Sequence, residues 1–259
     1  MTARVALVTG GGRGIGRAIA LRFAKDGLRV AIGARTEQQV QETADAARAA
    51  GADTLALGLD VTDDASIAAG IRRTVDELGA IDVLVNNAGV AESAPLVRTE
   101  PALWDRHLRI NVTAPYLLTR AVLPGMLERG WGRVINVASL AGLYGSPYVT
   151  AYTASKHALV GFTRALATEV AGKGVTVNAL CPGFVATDMV WRGARNIVDK
   201  TGKTFDEAVQ ALAHMNPGRR LIEPDEVAEA AARLLGDAAT NGECIVLDGT
   251  EPAPKGARA

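Results

Sequence analysis

Four side chains in the middle of the chain, Asn111, Ser139, Tyr152 and Lys156, are of the types that move a proton onto or off an oxygen atom. Tyr152 and Lys156 are four residues apart and therefore share one face of a helix. A phenol titrating near ~10 is a poor acid or base at neutral pH, but a neighbouring ammonium favours the phenolate and lowers that value. Ser139 closes an apolar, strand-like run, where its hydroxyl can hydrogen-bond a carbonyl or alcohol oxygen. Asn111 can hold a helix carbonyl or a water that links Lys156 to solvent, giving the proton a route. Taken alone, a Tyr and Lys at this spacing and a serine after a strand fit ordinary structure equally well. Their company with a glycine-rich opening makes them chemical candidates.

The elements that must position these residues follow from periodicity. Short apolar runs at 5–9, 29–32, 54–59, 83–86, 133–137, 176–180 and 244–247 read as strands. Between them, helical patterns begin near Ile15, Glu37, Ala65, Pro101, Tyr152 and Asp225. Continuous apolar runs joined by helices predict parallel strands covered on both faces. The expected fold is a single α/β domain over 1–250, a doubly wound Rossmann-type parallel sheet of about seven strands. Asp63 and Asp64 stand where a helix cap belongs, and Glu223-Pro224-Asp225-Glu226 has the proline and early acids of a helix start. The interval 190–217 carries Arg192, Gly193, Arg195, Lys200, Gly202 and Lys203 before a short helical pattern from Phe205, and is a candidate substrate lid. The stretch 251–259, rich in Pro, Gly and Ala, is expected to be a flexible tail.

The first strand runs into Thr9-Gly10-Gly11-Gly12-Arg13-Gly14-Ile15-Gly16 at the mouth of a helix. Glycines there let the backbone turn tightly and approach a pyrophosphate, whose charge meets the helix amides. A phosphate-binding loop of the nucleoside-triphosphatase type is disfavoured because no Lys-Ser/Thr follows. At the end of the second strand a ribose diol is usually met by a carboxylate, whereas a 2′-phosphate calls for cations. Ala34 and Arg35 stand there, with Arg13 in the loop, so NADP(H) is favoured and NAD(H) is the alternative. Both arginines could instead be solvated surface residues. Asp60 can accept hydrogen bonds from adenine while Val61 lines a ring face, although Asp60 could equally cap a turn. In Asn86-Asn87-Ala88-Gly89 the small residues let the chain pass close to the dinucleotide.

Among 259 residues, 28 cations balance 28 anions, which leaves no electrostatic footprint for nucleic acid or an anionic membrane. Cys181 and Cys244 lie in apolar stretches as buried small hydrophobes do, and the histidines at 107, 157 and 214 match no metal-ligand spacing. No metal site is expected. Neither a signal peptide nor a membrane span is read, and the default location is the cytoplasm.

From Val5 to about Gly249 the chain resembles the classical short-chain dehydrogenase/reductase family. The resemblance rests on the glycine loop, Asn86-Asn87-Ala88-Gly89, Asn111, Ser139, Tyr152-Thr153-Ala154-Ser155-Lys156, Pro182-Gly183 and Thr187. It implies that Tyr152 is the general acid or base. Lys156 would lower its pKa and hold the nicotinamide ribose, Ser139 would orient the reacting oxygen, and Asn111 would support a proton relay. It further implies that Pro182, Gly183, Val185 and Thr187 line the nicotinamide, and that the enzyme is a homotetramer built through helices near 104–126 and 154–170. Within the family the chain is most similar to 3-oxoacyl-thioester reductases and aromatic polyketide ketoreductases, through Gly33-Ala34-Arg35, Ala154-Ser155-Lys156-His157 and Cys181-Pro182-Gly183-Phe184-Val185. It departs where the polyketide enzymes carry Pro-Gly-Gly, since Val90-Ala91-Glu92-Ser93-Ala94-Pro95 stands there instead. The implied activity is NADPH-dependent reduction of a 3-oxoacyl thioester or related ketone. Oxidation of a free secondary or cyclic alcohol is the alternative, and a non-catalytic nucleotide-binding scaffold a remote one. Ser93, Leu140, Leu143, Tyr144, Pro147, Tyr148, Phe184 and Trp191 outline an apolar, partly aromatic slot or else ordinary core. Arg192, Arg195, Lys200 and Lys203 are candidate receivers for the phosphates of a thioester handle, or a solvated charged face.

Overall fold

The computed structural model describes residues 3–251; most of the expected tail, 252–259, lies outside the described residues. Seven parallel strands form one sheet in the order β3-β2-β1-β4-β5-β6-β7: β1 Val5–Thr9, β2 Arg29–Ala34, β3 Thr54–Gly58, β4 Ile81–Asn86, β5 Gly132–Val137, β6 Val175–Pro182 and β7 Cys244–Leu247. Each falls on an apolar run of the sequence. Every residue of β1, β5 and β6 is buried, as expected for strands covered on both faces.

Helices α1 Gly14–Lys25, α2 Glu37–Ala49 and α9 Pro224–Gly236 join α3 Asp64–Leu78, α4 Pro101–Leu108, α5 Ala114–Glu128 and α6 Thr150–Glu169 in covering the sheet. Two large apolar clusters result. In one, Ile19 and Phe23 of α1 and Val227 and Leu234 of α9 join Val8, Ile32 and Val85 of the sheet. In the other, Ile67 of α3, Leu118 and Met126 of α5 and Leu166 of α6 join Leu7, Leu84 and Val134. Strand residues alternate between these clusters because successive side chains point to opposite faces.

The expected caps form. Asp63 accepts a 2.9 Å hydrogen bond from the Ala65 amide, and Glu223 and Glu226 make a reciprocal box at the start of α9. Two regions differ from the sequence expectation. The helical stretch near 104–126 is interrupted by a widened π turn, Arg109–Thr113, which separates α4 from α5 and carries Asn111. The basic interval after Val190 is mostly helical: α7 Asp188–Thr201 precedes α8 Phe205–Ala213. Val190 and Ala194 pack on Ala208 and Leu212, which leaves the charges on the outer face of α7. Amphipathic burial overrides the glycine at 193, which is only mildly unfavourable inside a helix.

Candidate active site

The carboxyl ends of β1 and β4 meet where the strand order reverses, the place where open α/β sheets form a ligand crevice. Buried Thr9 organises this corner. Its hydroxyl donates to the Val85 carbonyl at 3.2 Å and accepts from the amides of Asn87 and Ala88 at 3.0 and 3.1 Å. The Asn87 carboxamide then donates to the carbonyls of Thr9 and Gly10 at 2.8 and 3.1 Å, clamping the glycine loop. A β-carbon on Gly16 would lie 2.3 Å from the Gly10 oxygen, so only glycine fits. Gly14 takes a φ of 53°, and Ile15 packs against the core beneath it. Among the described residues no side chain caps the N-terminus of α1, and its first turn holds no acid. Uncapped amides at the edge of a crevice suit an anion such as a pyrophosphate.

Arg13 and Arg35 act on different carboxylates. Arg13 pairs with Asp188, the first residue of α7, at 2.8 Å across the mouth of the crevice. Arg35 is exposed beyond the end of β2, where no carboxylate occupies the adjoining Ala34, and its charge reaches Asp60. Burial raises the Asp60 pKa, but hydrogen bonds from the Thr62 amide and hydroxyl at 2.8 and 2.7 Å, with the Arg35 and Arg109 charges, hold it below the usual value. Asp60 thus realises the turn-cap reading while remaining beside buried Val61 at the crevice edge. Pro182 ends β6 and Gly183 donates to the Leu247 carbonyl at 2.9 Å, carrying buried Val185 and Thr187 towards the glycine loop. The Thr187 methyl stands 3.1 Å from where a Gly14 β-carbon would be.

The four chemical candidates gather at the ends of β4 and β5. Lys156 is 5% exposed, and its ammonium donates to the Val137 carbonyl at 2.8 Å. It lies 5.8 Å from the Tyr152 ring centroid and 3.6 Å from where a Gly89 β-carbon would be. Burial pulls the Lys156 pKa from 10.5 down to about 8. Ser139 accepts from the Ala141 amide at 3.1 Å, and its hydroxyl lies on the side of the Tyr152 phenol, whose pKa it lowers.

One expectation needs correction. Burial pushes the Tyr152 phenol above its ordinary value despite the opposing effect of Ser139, where the sequence predicts a lowered value. The Asn111 carboxamide accepts from the Val90 amide and donates to the Val90 carbonyl, both at 3.0 Å, and donates to the Ser155 hydroxyl at 2.9 Å. Its side chain braces the 90–95 loop against α6, and its Oδ1 and the Lys156 ammonium stand 3.3 and 3.6 Å from where a Gly89 β-carbon would be.

The slot residues divide. Tyr144 and Tyr148 are largely exposed on the loop before α6, and Ser93 is exposed on the facing loop; the Ala94 amide joins the two loops through the Tyr148 carbonyl at 2.8 Å. Leu140 reaches the Gly183 backbone, and Phe184 packs against the α7–α8 pair. Trp191 packs on the same α7–α8 cluster as Phe184. Its ring centroid is 6.3 Å from that of Phe205, and it also lines a cleft of about 380 Å³ with Arg13, Arg17, Thr187 and Asp188.

Several organising residues escaped the sequence reading. Buried Asn216 accepts from the Phe184 amide and donates to the Phe184 and Arg220 carbonyls, at 2.8, 3.0 and 2.6 Å, fixing the turn into α7. Ser155 links Asn111 to the Tyr152 carbonyl, donating at 2.7 Å. Asp188 receives Arg13. The Asn-Pro-Gly run at 216–218 signals a turn, but no local pattern reveals partners so distant in sequence. Cys181 and Cys244 are free thiols, and burial pushes the Cys181 thiol up to about 12, which suits packing rather than nucleophilic attack. Among the described residues no group of His, Cys, Asp or Glu could hold a metal, and no helix is long and apolar enough to cross a membrane.

The chain is similar to known proteins. The sequence profile of the family described as "short chain dehydrogenase" matches residues 4–197. An acetoacetyl-CoA reductase of Cupriavidus necator is 40% identical over 242 residues, 92% of each chain. A 3-oxoacyl-acyl-carrier-protein reductase of Vibrio cholerae is 38% identical over 248 residues, 95% of this chain and 96% of that one. A crystal structure of a variant actinorhodin polyketide ketoreductase with NADPH superposes with a TM-score of 0.92 at 39% identity, covering 96% of this chain and 98% of the other.

Proposed function

Because the chain belongs to the short-chain dehydrogenase family, we propose that it is an NADPH-dependent reductase of 3-oxoacyl thioesters or related ketones. The observation that carries the proposal is the convergence of Ser139, Tyr152 and Lys156 beside the uncapped N-terminus of α1. The glycine loop and α1 amides suit the pyrophosphate, Arg35 suits an adenosine 2′-phosphate, and Lys156 stands by Gly89 where a ribose would pass. When bound, a nicotinamide dinucleotide supplies hydride to the carbonyl carbon.

The protein's own residues manage the oxygen. Ser139 donates a hydrogen bond to the carbonyl oxygen, and Tyr152 donates the proton that completes the alcohol. Reduction draws on the protonated phenol, the form that burial of Tyr152 favours. The buried Lys156 ammonium faces the phenolate left after transfer. The exposed cations of α7, among them Arg192 and Arg195, lie where the phosphates of a thioester handle would find partners. Support for a thioester also comes from relatives named for acetoacetyl-CoA and 3-oxoacyl carrier substrates.

The test pairs both cofactors with a panel of β-keto thioesters and free secondary alcohols. Turnover of thioesters with NADPH is expected; activity confined to free alcohols with NAD would overturn the substrate assignment. Tyr152→Phe should lower turnover by about 10²–10⁴-fold with cofactor affinity unchanged. A homotetramer is part of the same proposal: Trp104 and Tyr116 are 37% and 43% exposed, and Tyr116 stacks edge-on to Phe162 across the outer faces of α5 and α6. Solution mass at the monomer value would refute it.

A further inference from the structure

His107 is a fully buried titratable side chain that the proposed chemistry does not use. Its imidazole is engaged on three sides. Nδ1 lies 2.8 Å from the Leu103 carbonyl, which can only accept, so Nδ1 carries the hydrogen. Nε2 is then a bare acceptor and takes the Glu92 amide hydrogen at 3.2 Å. The ring also meets the Tyr152 ring edge-on, with centroids 6.3 Å apart and planes at 73°.

Four residues further on, Asn111 holds Val90 by both its amide and its carbonyl. One helical stretch therefore pins the 90–95 loop at two points, while Arg106 of the same stretch pairs with the Glu92 carboxylate. Ser93, immediately beyond, is exposed on the wall facing Tyr148. The Ala94 amide adds a hydrogen bond to the Tyr148 carbonyl at 2.8 Å, while the side chains of Glu92, Ser93 and Pro95 are exposed, so the loop is held largely through its backbone.

We propose that His107 is a positioning residue that fixes the separation between the 90–95 loop and the Tyr152 phenol, and with it the orientation in which a prochiral ketone is presented to Tyr152. The proposal rests on the reading of Tyr152 as proton donor. One ring touches both walls of the slot: its Nε2 holds the loop backbone and its edge bears on the phenol ring. Moving the loop shifts the substrate relative to a fixed donor, which alters binding and face selection before it alters the proton transfer itself.

The two contacts separate by substitution. His107→Phe retains a ring against Tyr152 and loses both nitrogens; His107→Gln retains an acceptor for the Glu92 amide and loses the ring. With acetoacetyl-CoA and 1-decalone as probes, His107→Phe is expected to raise KM about tenfold and lower the enantiomeric excess of the alcohol, with kcat within threefold. His107→Gln is expected to restore KM and enantiomeric excess while lowering kcat. Glu92→Pro removes the same donor from the surface side and should reproduce the KM and selectivity change of His107→Phe, which keeps the test open if a core variant does not fold. KM, kcat and enantiomeric excess at unmodified values in all folded variants, with only thermal midpoints lowered, would overturn the proposal. Absence of ketone turnover in the unmodified protein would refute the reductase reading alone. The loop anchor is then read from hydrogen exchange at the Glu92 amide, expected slow in the unmodified protein and fast in His107→Phe; equal rates would overturn the anchor.

Discussion

The nucleotide corner and the substrate mouth are built on opposite plans. At the corner of β1, β4 and α1, buried Thr9 and the Asn87 carboxamide hold backbone atoms directly, and the contacts leave no room for one β-carbon on Gly16. At the mouth, Tyr144 and Tyr148 are 65% and 64% exposed, and α7 and α8 share a cluster centred on only four buried side chains. A site shaped by backbone contact dictates its residues by necessity, whereas one shaped by exposed side chains accepts many alternatives. The contrast explains why the reaction class is the more legible part of this protein and the substrate the less legible.

Four measurements break or sharpen the contrast. The largest effect belongs to Gly16→Ala, which should abolish detectable NADPH binding in a fluorescence titration because its β-carbon would meet the Gly10 oxygen at 2.3 Å. Retained affinity would show that the corner is less rigid than its contacts imply.

The second concerns the buried ammonium between the two regions. With its pKa lowered to about 8 from 10.5, Lys156 is charged in both folded and unfolded chains below pH 8, where the cost of burying the charge is fully present. As pH rises from about 8 to 10.5 the folded state deprotonates first and that cost is relieved, by roughly 3 kcal/mol at 1.36 kcal/mol per unit. Tyr152 acts with the opposite sign and only above pH 10, where the unfolded phenol ionises first. Urea unfolding from pH 7.5 to 9.5 should therefore show stability rising in the unmodified protein relative to Lys156→Met. Parallel profiles would mean that the ammonium is not desolvated.

The third effect is smaller and tests cofactor choice at the edge of the corner. Arg35→Ala should weaken NADPH binding by about 10–100-fold, the range for a lost charge-assisted hydrogen bond, and leave NADH unchanged. Equal loss for both cofactors would mean that Arg35 does not read the 2′-phosphate. The smallest effect joins the two regions: Asp188→Asn removes the exposed partner of Arg13 and should speed cofactor release by no more than about fivefold, read by stopped flow. A change tenfold or greater would make this pair a structural part of the corner.

Local patterns carried much of the site. The glycine loop, Asn87, Ser139, Tyr152 and Lys156 were readable because each is tied to the end of a strand or to helical spacing, and all seven strands coincide with apolar runs. Burial energetics were less readable: the ammonium beside Tyr152 suggested a lowered phenol pKa, but desolvation depends on what packs around the ring. That Trp191 borders a cleft with Arg13 and Arg17 was not readable, because those residues lie far away along the chain. The basic content after Val190 concealed an amphipathic helix whose apolar stripe makes sense only against α8.

The amino-acid order by itself determined the doubly wound sheet, the cofactor loop and the proton-transfer set, because those depend on residue type at short, regular spacing. Tertiary structure alone decided that Asn111 braces Val90 and Ser155, that Asn216 holds the turn at Phe184, and that His107 bears on both Glu92 and Tyr152. Those links join residues 15 to 45 positions apart through one or two hydrogen bonds or one ring contact. Such partners leave no periodic trace along the chain, since chain folding rather than spacing brings them within reach.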